Sequence, residues 1–154
     1  MVSIYPAPLP IFDEMDKLGD FSFIMSRHEQ GAAFMAQGIS RGSVGTSHPR
    51  TGVCMATSGP GAMNLVTGIA DAIMDSVPLL AITGQVATGA IATDAFQESD
   101  VVGVMMPLTK QTYLPLTVDE IEETIHEAMY VALTGRGGPV VVDIPKDVQL
   151  QETD

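Results

Sequence analysis

The segment Ser58-Gly-Pro-Gly61 follows the apolar run 53–56, and its residue types permit close contact with a ligand. Glycine lets a ligand approach the backbone, and Pro60 suits the first turn of a helix, whose free amides attract polar or anionic groups. A plain strand-to-helix turn needs the same residues, and that simpler explanation stays open. The dinucleotide fingerprint is incomplete, because Asn64 stands where its third glycine belongs, and no phosphate-loop lysine is present. The turn is therefore not predicted to bind a nucleotide through either motif.

Glu29 opens the first long predicted helix and is the second candidate for chemistry. Ser26 and Glu29 have the Ser-x-x-Glu spacing of a capping box, and an acid at this position suits the helix dipole. Capping is the simpler interpretation. The small residues that follow (Gly31, Ala32 and Ala33) also permit a partly buried carboxyl group for ligand contact, and both interpretations remain open.

Gln97 lies beside Phe96 in a segment that is crowded with acids, after a loop rich in glycine and alanine. Capping of a short helix explains the acids, which are Asp94, Glu98 and Asp100. Capping does not explain an amide beside a phenylalanine, so Gln97 is a further candidate for ligand contact.

The remaining reactive side chains show no pattern of catalysis or metal binding. His28, His48 and His126 have no Cys or carboxylate partners at ligand spacing, so the sequence predicts no metal site. Cys54 is the single cysteine and lies within an apolar run, which favours a buried thiol over a nucleophile. One cysteine also excludes an internal disulfide and fits a reducing compartment. The Gly-x-Ser-x-Gly pattern of α/β-hydrolases is absent.

Short β-type runs alternate with longer helical patterns along the chain. The predicted strands are 21–25, 53–56, 79–83, 109–114 and 139–144, and the predicted helices lie near 27–39, 60–74, 98–104 and 118–133. Several strands are continuous apolar runs, as expected when helices cover both faces of a sheet. The alternation predicts an α/β fold with a parallel sheet and helices on both faces.

The helix over 118–133 has the clearest boundaries. Thr117 and Glu120 predict a capping box at its start, and Gly135 predicts its end. The segment 41–51 is rich in turn formers and predicts an exposed loop. A turn is also predicted at the prolines near the start of the chain, which are Pro6, Pro8 and Pro10.

Composition limits the classes of partner. The chain has 154 residues, of which 45% are apolar and 17% charged, which is typical of one globular domain. Nineteen acids against seven Lys and Arg residues give a net charge of −12, which opposes binding to nucleic acid. The uncharged stretch 51–70 has glycine, proline and asparagine at its centre, so no membrane span is predicted, and no signal peptide is apparent.

Six sequence blocks, in this order and spacing, resemble one family of enzymes. They are 27–33 (RHEQGAA), 57–62 (TSGPGA) with Asn64, 75–78 (DSVP), 81–85 (AITGQ), 93–98 (TDAFQE) and 139–146 (PVVVDIPK). Together they resemble the N-terminal, pyrimidine-binding domain of thiamine-diphosphate enzymes, most closely the catalytic subunits of the acetolactate synthase (acetohydroxyacid synthase) family. The resemblance implies that residues 1–149 form this domain and that residues 150–154 begin an interdomain linker.

The resemblance implies a role for each matched residue. Glu29 would hydrogen-bond the aminopyrimidine ring of thiamine diphosphate and favour its imino tautomer, which requires a carboxyl group able to share a proton. Gln97 would face the reactive end of the cofactor and is the second implied catalytic residue. The other implied contacts are Tyr5, Pro6, Pro60, Gly61 and Asn64 with thiamine diphosphate, Arg136 with FAD, and Phe96 and Lys146 with the substrate channel.

The implied activity is decarboxylation of pyruvate and condensation of the product with pyruvate or 2-ketobutyrate, in isoleucine and valine biosynthesis. The family also implies FAD and Mg²⁺, with the Mg²⁺ ligands outside this chain, a homodimer or homotetramer, and a regulatory subunit. The implied location is the cytoplasm, or a plastid in a photosynthetic eukaryote.

The chain departs from the family pattern in ways that bear on activity. Tyr5-Pro-Ala-Pro8 stands where the family has a longer loop containing glycines, and the loop 43–50 is longer than usual. The family's first helix and its middle and diphosphate-binding domains are missing from these 154 residues. We therefore expect the isolated chain to be inactive. The alternatives are part of another thiamine-diphosphate lyase, oxidase or acetyltransferase, or a freestanding, non-catalytic interaction module.

Overall fold

The structure is a computed structural model that describes residues 8–152. Its regular elements, in chain order, are α1 (Leu9–Leu18), α2 (Glu29–Ser43), β1 (Gly52–Ala56), α3 (Pro60–Met63), α4 (Val66–Met74), β2 (Leu79–Gln85), α5 (Val101–Met105), β3 (Gln111–Tyr113), α6 (Ile121–Leu133) and β4 (Pro139–Pro145). Single 3-10 turns lie at Thr88–Ala90, Met106–Leu108, Val118–Glu120 and Val148–Leu150.

The four strands form one parallel sheet in the order β1-β2-β4-β3. The central strands β2 and β4 pair along their whole length, from Leu79 opposite Pro139 to Gln85 opposite Pro145. Parallel neighbours require crossover connections, which the helices between successive strands supply. Because all strands run in one direction, β1, β2 and β4 end at the same edge of the sheet, which we call the carboxyl edge. The loops that follow these strands meet there, where α/β folds place their ligand sites.

Alternate residues of the central strands pack on opposite faces of the sheet. Leu79 and Ala81 belong to a buried cluster with residues of α2, α4 and α5, such as Ala33 and Ile69. Leu80 belongs to a second cluster, to which α6 and β4 contribute buried apolar side chains. Helices therefore cover both faces, which confirms the predicted α/β fold.

Helix α1 was not predicted from the sequence, although its boundary residues are informative. It begins directly after Pro8 and is followed by Gly19, whose φ of 70° is the left-handed conformation that commonly ends a helix. Pro10 lies in the first turn, where an amide has no acceptor within the helix, so a proline is tolerated. The turn predicted at Pro8 and Pro10 is therefore a helix start, and Pro6 lies outside the described residues.

The strand predicted over 21–25 is wrong. This segment forms neither strand nor helix, and Ile24 and Met25 are 74% and 78% exposed. A strand must hydrogen-bond to a neighbour, and none of the four strands described in residues 8–152 pairs with this segment. Phe23 instead packs edge-on against Phe12 of α1, with ring centroids 5.7 Å apart.

The other predicted elements are present with altered boundaries. The helix predicted over 60–74 is divided into α3 and α4, with Asn64 and Leu65 between them. The Leu65 amide donates to the Ala62 carbonyl three residues back, which is a tighter turn than that of an α-helix. Helix α2 continues to Ser43 and so occupies the start of the loop predicted over 41–51.

The capping box predicted at Thr117 and Glu120 does not form. The Thr117 side chain makes no capping hydrogen bond, and the Glu120 carboxylate accepts a bond from the Leu116 amide at 2.7 Å. The first turn of the predicted helix over 118–133 is a 3-10 turn, and the α-helix begins at Ile121.

Candidate functional site

Residues 57–61 connect the carboxyl end of β1 to α3 through a tight turn. Gly59 has a φ of 49°, in the left-handed region that favours glycine. The Gly61 amide donates to the Ser58 carbonyl at 3.1 Å, and the Met63 amide donates to the Gly59 carbonyl at 2.9 Å. The turn therefore bonds its own amides, in agreement with the strand-to-helix interpretation, and the Gly61 amide is not free for a ligand as the first interpretation expected.

Glu29, the first residue of α2, lies against this turn. Its Oε2 accepts a hydrogen bond from Asn64 Nδ2 at 3.0 Å. A Cβ atom built on Gly61 would lie 3.5 Å from Glu29 Oε1 and only 2.6 Å from Thr57 Cγ2. The Thr57 contact therefore requires glycine at this position, whereas the distance to Glu29 Oε1 is an ordinary van der Waals contact. We call Glu29, Gly61 and Asn64 the Glu29 cluster.

The cap of α2 is His28. Its Nδ1 accepts a hydrogen bond from the Gln30 amide at 3.1 Å, and the Ser26 hydroxyl donates to the His28 carbonyl at 2.9 Å. The capping box predicted between Ser26 and Glu29 is therefore wrong. The Glu29 carboxylate instead accepts a hydrogen bond from Asn64 across the turn, and its contact with a ligand stays a prediction.

Gln97 joins the site through its backbone. A Cβ atom on Gly59 would lie 2.2 Å from the Gln97 carbonyl oxygen and 2.8 Å from its carbonyl carbon, so a side chain at this position would force the two segments apart. Gly59 and Gly61 belong to the same turn, which therefore brings Gln97 and Glu29 to one site. Three segments that are distant in the sequence meet here at the carboxyl edge.

The other residues implied for thiamine diphosphate and the substrate channel lie in different positions relative to this site. Pro60 is exposed within the same turn, and Phe96 precedes Gln97 and is 73% exposed. Lys146 follows β4 directly and so lies at the carboxyl edge. Tyr5 and Pro6 lie outside the described residues.

Arg136 precedes β4 and therefore lies at the opposite edge of the sheet. Its Nε donates to the Ser76 hydroxyl at 2.7 Å, and its Nη2 donates to the carbonyls of Ile73 and Met74, at the end of α4, at 3.3 and 3.2 Å. The structure does not bring this guanidinium group to the Glu29 cluster.

A buried acid network near the carboxyl edge was not singled out from the sequence. Asp143 of β4 is fully buried and accepts hydrogen bonds from Thr83 Oγ1 at 2.6 Å and Gln85 Nε2 at 2.7 Å. Burial raises the pKa of Asp143 to about 6, although both hydrogen bonds favour its charged form. Gln85 also donates to the Ser99 carbonyl at 3.2 Å, in the segment after Gln97. The signal in the sequence was a lone aspartate within an apolar strand.

The acids near Gln97 have different roles. Asp100 caps α5, because its Oδ1 accepts a hydrogen bond from the Gly103 amide at 2.8 Å, as predicted. Glu98 does not cap the helix, contrary to the prediction. Its carboxylate accepts hydrogen bonds from the amides of the preceding loop, including that of Ala95 at 3.0 Å.

Other reactive groups are placed as follows. Cys54 is buried, and burial raises the pKa of its thiol to about 12, which agrees with the predicted buried thiol. Within residues 8–152, no three His, Cys, Asp or Glu side chains are grouped as a metal site requires. In the same residues, no helix has both the length and the apolar character needed to cross a bilayer.

Residues 5–104 match the family described as thiamine pyrophosphate enzyme, N-terminal TPP binding domain. The chain belongs to this family. Thiamine pyrophosphate and thiamine diphosphate are the same compound, so the family expected from the sequence blocks is confirmed.

Relatives with assigned names extend this comparison. The chain is 50% identical over 148 residues to the acetolactate synthase large subunit of Corynebacterium glutamicum, covering 96% of this chain and 23% of the relative. It is 50% identical over 141 residues to the acetolactate synthase isozyme 1 large subunit of Escherichia coli, covering 92% and 24%. It is 48% identical over 152 residues to the chloroplastic acetolactate synthase of Arabidopsis thaliana, covering 97% and 22%. The chain therefore spans about a quarter of the length of these relatives.

Proposed function

We propose that this chain supplies the aminopyrimidine-binding side of a thiamine-diphosphate site in an acetolactate synthase, which condenses decarboxylated pyruvate with a second 2-keto acid. The observation that carries the proposal is the Glu29 carboxylate placed beside Gly61 and Asn64. It stands in a chain that belongs to the thiamine pyrophosphate enzyme family and is about 50% identical to acetolactate synthase subunits.

The chemistry of the Glu29 cluster fits the aminopyrimidine ring. Asn64 bonds Oε2 of Glu29, and Oε1 lies 3.5 Å from the position that a Cβ atom on Gly61 would take. A carboxyl group held in this way can share a proton with a ring nitrogen, and such acid-base contacts contribute roughly 10²–10⁴-fold to a rate. When bound, thiamine diphosphate supplies the electron sink that lets a 2-keto acid lose carbon dioxide.

The roles of the surrounding residues are part of the proposal. Gln97 would face the reactive end of the cofactor and the substrate, Phe96 and Lys146 would line the substrate channel, and Pro60 would contact the cofactor. Arg136 would contact FAD, for which it would have to exchange its present bonds to the end of α4.

The remaining features of the whole enzyme are proposed from the resemblance alone. They are Mg²⁺ bound outside this chain, a homodimer or homotetramer, and a regulatory subunit. Because the proposal places the diphosphate-binding surface elsewhere, we expect residues 1–154 alone to form no acetolactate from pyruvate with thiamine diphosphate, Mg²⁺ and FAD.

A segment exchange tests the proposal. The aligned segment of the Corynebacterium glutamicum large subunit is replaced by residues 5–149 of this chain, and acetolactate formation from pyruvate is measured. We expect the exchanged enzyme to form acetolactate and Glu29→Gln to lower the rate by roughly 10²-fold or more. Glu122→Gln, the same chemical change on the exposed side of α6, should leave the rate unchanged.

Two outcomes would contradict the proposal. A folded, correctly assembled exchange that keeps its activity after Glu29→Gln would remove the carboxylate from the mechanism. A folded exchange that decarboxylates pyruvate without forming acetolactate would favour another thiamine-diphosphate enzyme.

A further inference from the structure

The loop before Gln97 is folded around the carboxylate of Glu98. Glu98 Oε1 accepts a hydrogen bond from the Ala92 amide, and Oε2 accepts bonds from the Thr93 amide at 3.2 Å and the Ala95 amide at 3.0 Å. These bonds hold the pKa of Glu98 below its usual range, with the Ala92 amide as the largest cause. One side chain thus binds three amides of a loop that belongs to no helix or strand.

The backbone of this loop is unusual for residues that carry a Cβ atom. Ala92, Asp94 and Gln97 have φ values of 63°, 57° and 59°, in the left-handed region that such residues rarely adopt. A conformation of this kind persists only when surrounding interactions hold it. The Glu98 carboxylate supplies three such interactions within six residues of the chain.

The loop is also fixed just before and just after Glu98. The Gln97 carbonyl packs against Gly59, so closely that a Cβ atom there would lie 2.2 Å away. The Ser99 carbonyl accepts a hydrogen bond from Gln85, whose amide also bonds the buried Asp143. Glu98 therefore stands between two anchored residues, and its side chain extends that anchoring back along the loop to Ala92.

We propose that Glu98 is a positioning residue. By accepting hydrogen bonds from three amides of the loop, its carboxylate holds Gln97 against Gly59, beside the Glu29 cluster. The part of the proposal that concerns a ligand rests on the proposed function, because only that function gives Gln97 a cofactor to face. The dependence of the loop conformation on Glu98 is independent of the proposed function. An experiment can therefore contradict one of them and support the other.

The first test is an NMR pH titration of the isotope-labelled 154-residue chain. Protonation removes the charged acceptor, so the amide resonances of Ala92, Ala95 and Gln97 should shift together with one midpoint below the usual glutamate range. This measurement needs no variant. Amides that do not titrate, or that titrate with separate midpoints, would overturn the proposal.

The second test compares Glu98→Gln with Glu122→Gln. In Glu98→Gln the common titration should disappear, and hydrogen exchange of the Ala92 and Ala95 amides should accelerate by roughly tenfold or more. Resonances of α6 and β4 should stay in place, which separates a local positioning role from a general structural one. Glu122→Gln should behave as the wild type.

A conservative variant and a cofactor titration complete the design. Glu98→Asp keeps the charge on a shorter side chain and should restore part of the lost protection, whereas no restoration would count against a carboxylate acceptor. The wild-type and Glu29→Gln forms of the exchanged enzyme, which contains the diphosphate-binding surface, are then titrated with thiamine diphosphate at fixed Mg²⁺, and acetolactate formation is measured. Equal rates in the two forms, beside a normal loop titration of the 154-residue chain, would overturn the proposed function and leave the role of Glu98 supported.

Discussion

Replacing Asp143 by asparagine should change how the stability of the fold depends on pH. Asp143 is fully buried, and burial raises its pKa from 3.8 to about 6. Between these two values the folded chain binds more protons than the unfolded chain. The free energy of unfolding therefore falls as the pH rises through this window, and the fold is favoured most when Asp143 is protonated.

The size of the effect follows from the rise in the pKa of Asp143. One pKa unit corresponds to about 1.4 kcal/mol, so ionising Asp143 costs the folded state about 3 kcal/mol by neutral pH. Asparagine cannot ionise and can keep both contacts. Its oxygen can accept from Gln85 Nε2, and its amide nitrogen can donate to the Thr83 hydroxyl.

Urea unfolding followed by circular dichroism measures the prediction at a series of pH values. The free energy of unfolding of Asp143→Asn, less that of the wild type, should rise by about 2 kcal/mol between about pH 4.5 and about pH 7, then level off. Asp16→Asn, at an exposed position of α1, provides the matched control and should show a constant difference. Parallel curves for Asp143→Asn and wild type would refute the reasoning, because they would mean that Asp143 titrates alike in both states.

Three further predictions concern backbone packing and burial. A Cβ atom on Gly52 would lie 1.9 Å from the Ala36 carbonyl oxygen, so Gly52→Ala should force α2 away from β1 and lower the free energy of unfolding by about 3 kcal/mol. Gly38→Ala in α2, where a Cβ atom meets nothing within 4 Å, should raise it by about 0.5–1 kcal/mol, and urea unfolding that ranks the two variants equally would contradict this account. Because burial raises the pKa of Cys54 to about 12, a thiol reagent at mild alkaline pH should modify it only in denaturant, and rapid labelling of the folded chain would show that the thiol is accessible.

The sheet was largely predictable because its signals are local. The apolar runs at 79–83 and 139–144 became the central strands β2 and β4, which helices cover on both faces. The prediction failed at 21–25, whose composition is equally apolar. Whether such a run forms a strand depends on a neighbour to bond its backbone, and a run of residues carries no information about that neighbour.

The candidate site was likewise predictable only in part. Residue type and position made Glu29 and the 57–61 turn candidates for ligand contact, but each also had a simpler local explanation. The structure shows that His28 caps α2 and that Asn64 bonds the Glu29 carboxylate, whose contact with a ligand stays a prediction. Asn64 lies at the break between α3 and α4, and this break was not predicted from the sequence.

Local sequence patterns were sufficient for the α/β class, the parallel sheet and the identity of the family, because period, turn chemistry and ordered motifs are properties of neighbouring residues. Distances between remote residues depend on how the sheet and its helices pack, and they emerged only in three dimensions. The contact of Gly59 with Gln97 and the burial of Asp143 beside Thr83 and Gln85 are both of this kind. Each involves residues that are far apart in the sequence and become neighbours only when the chain folds.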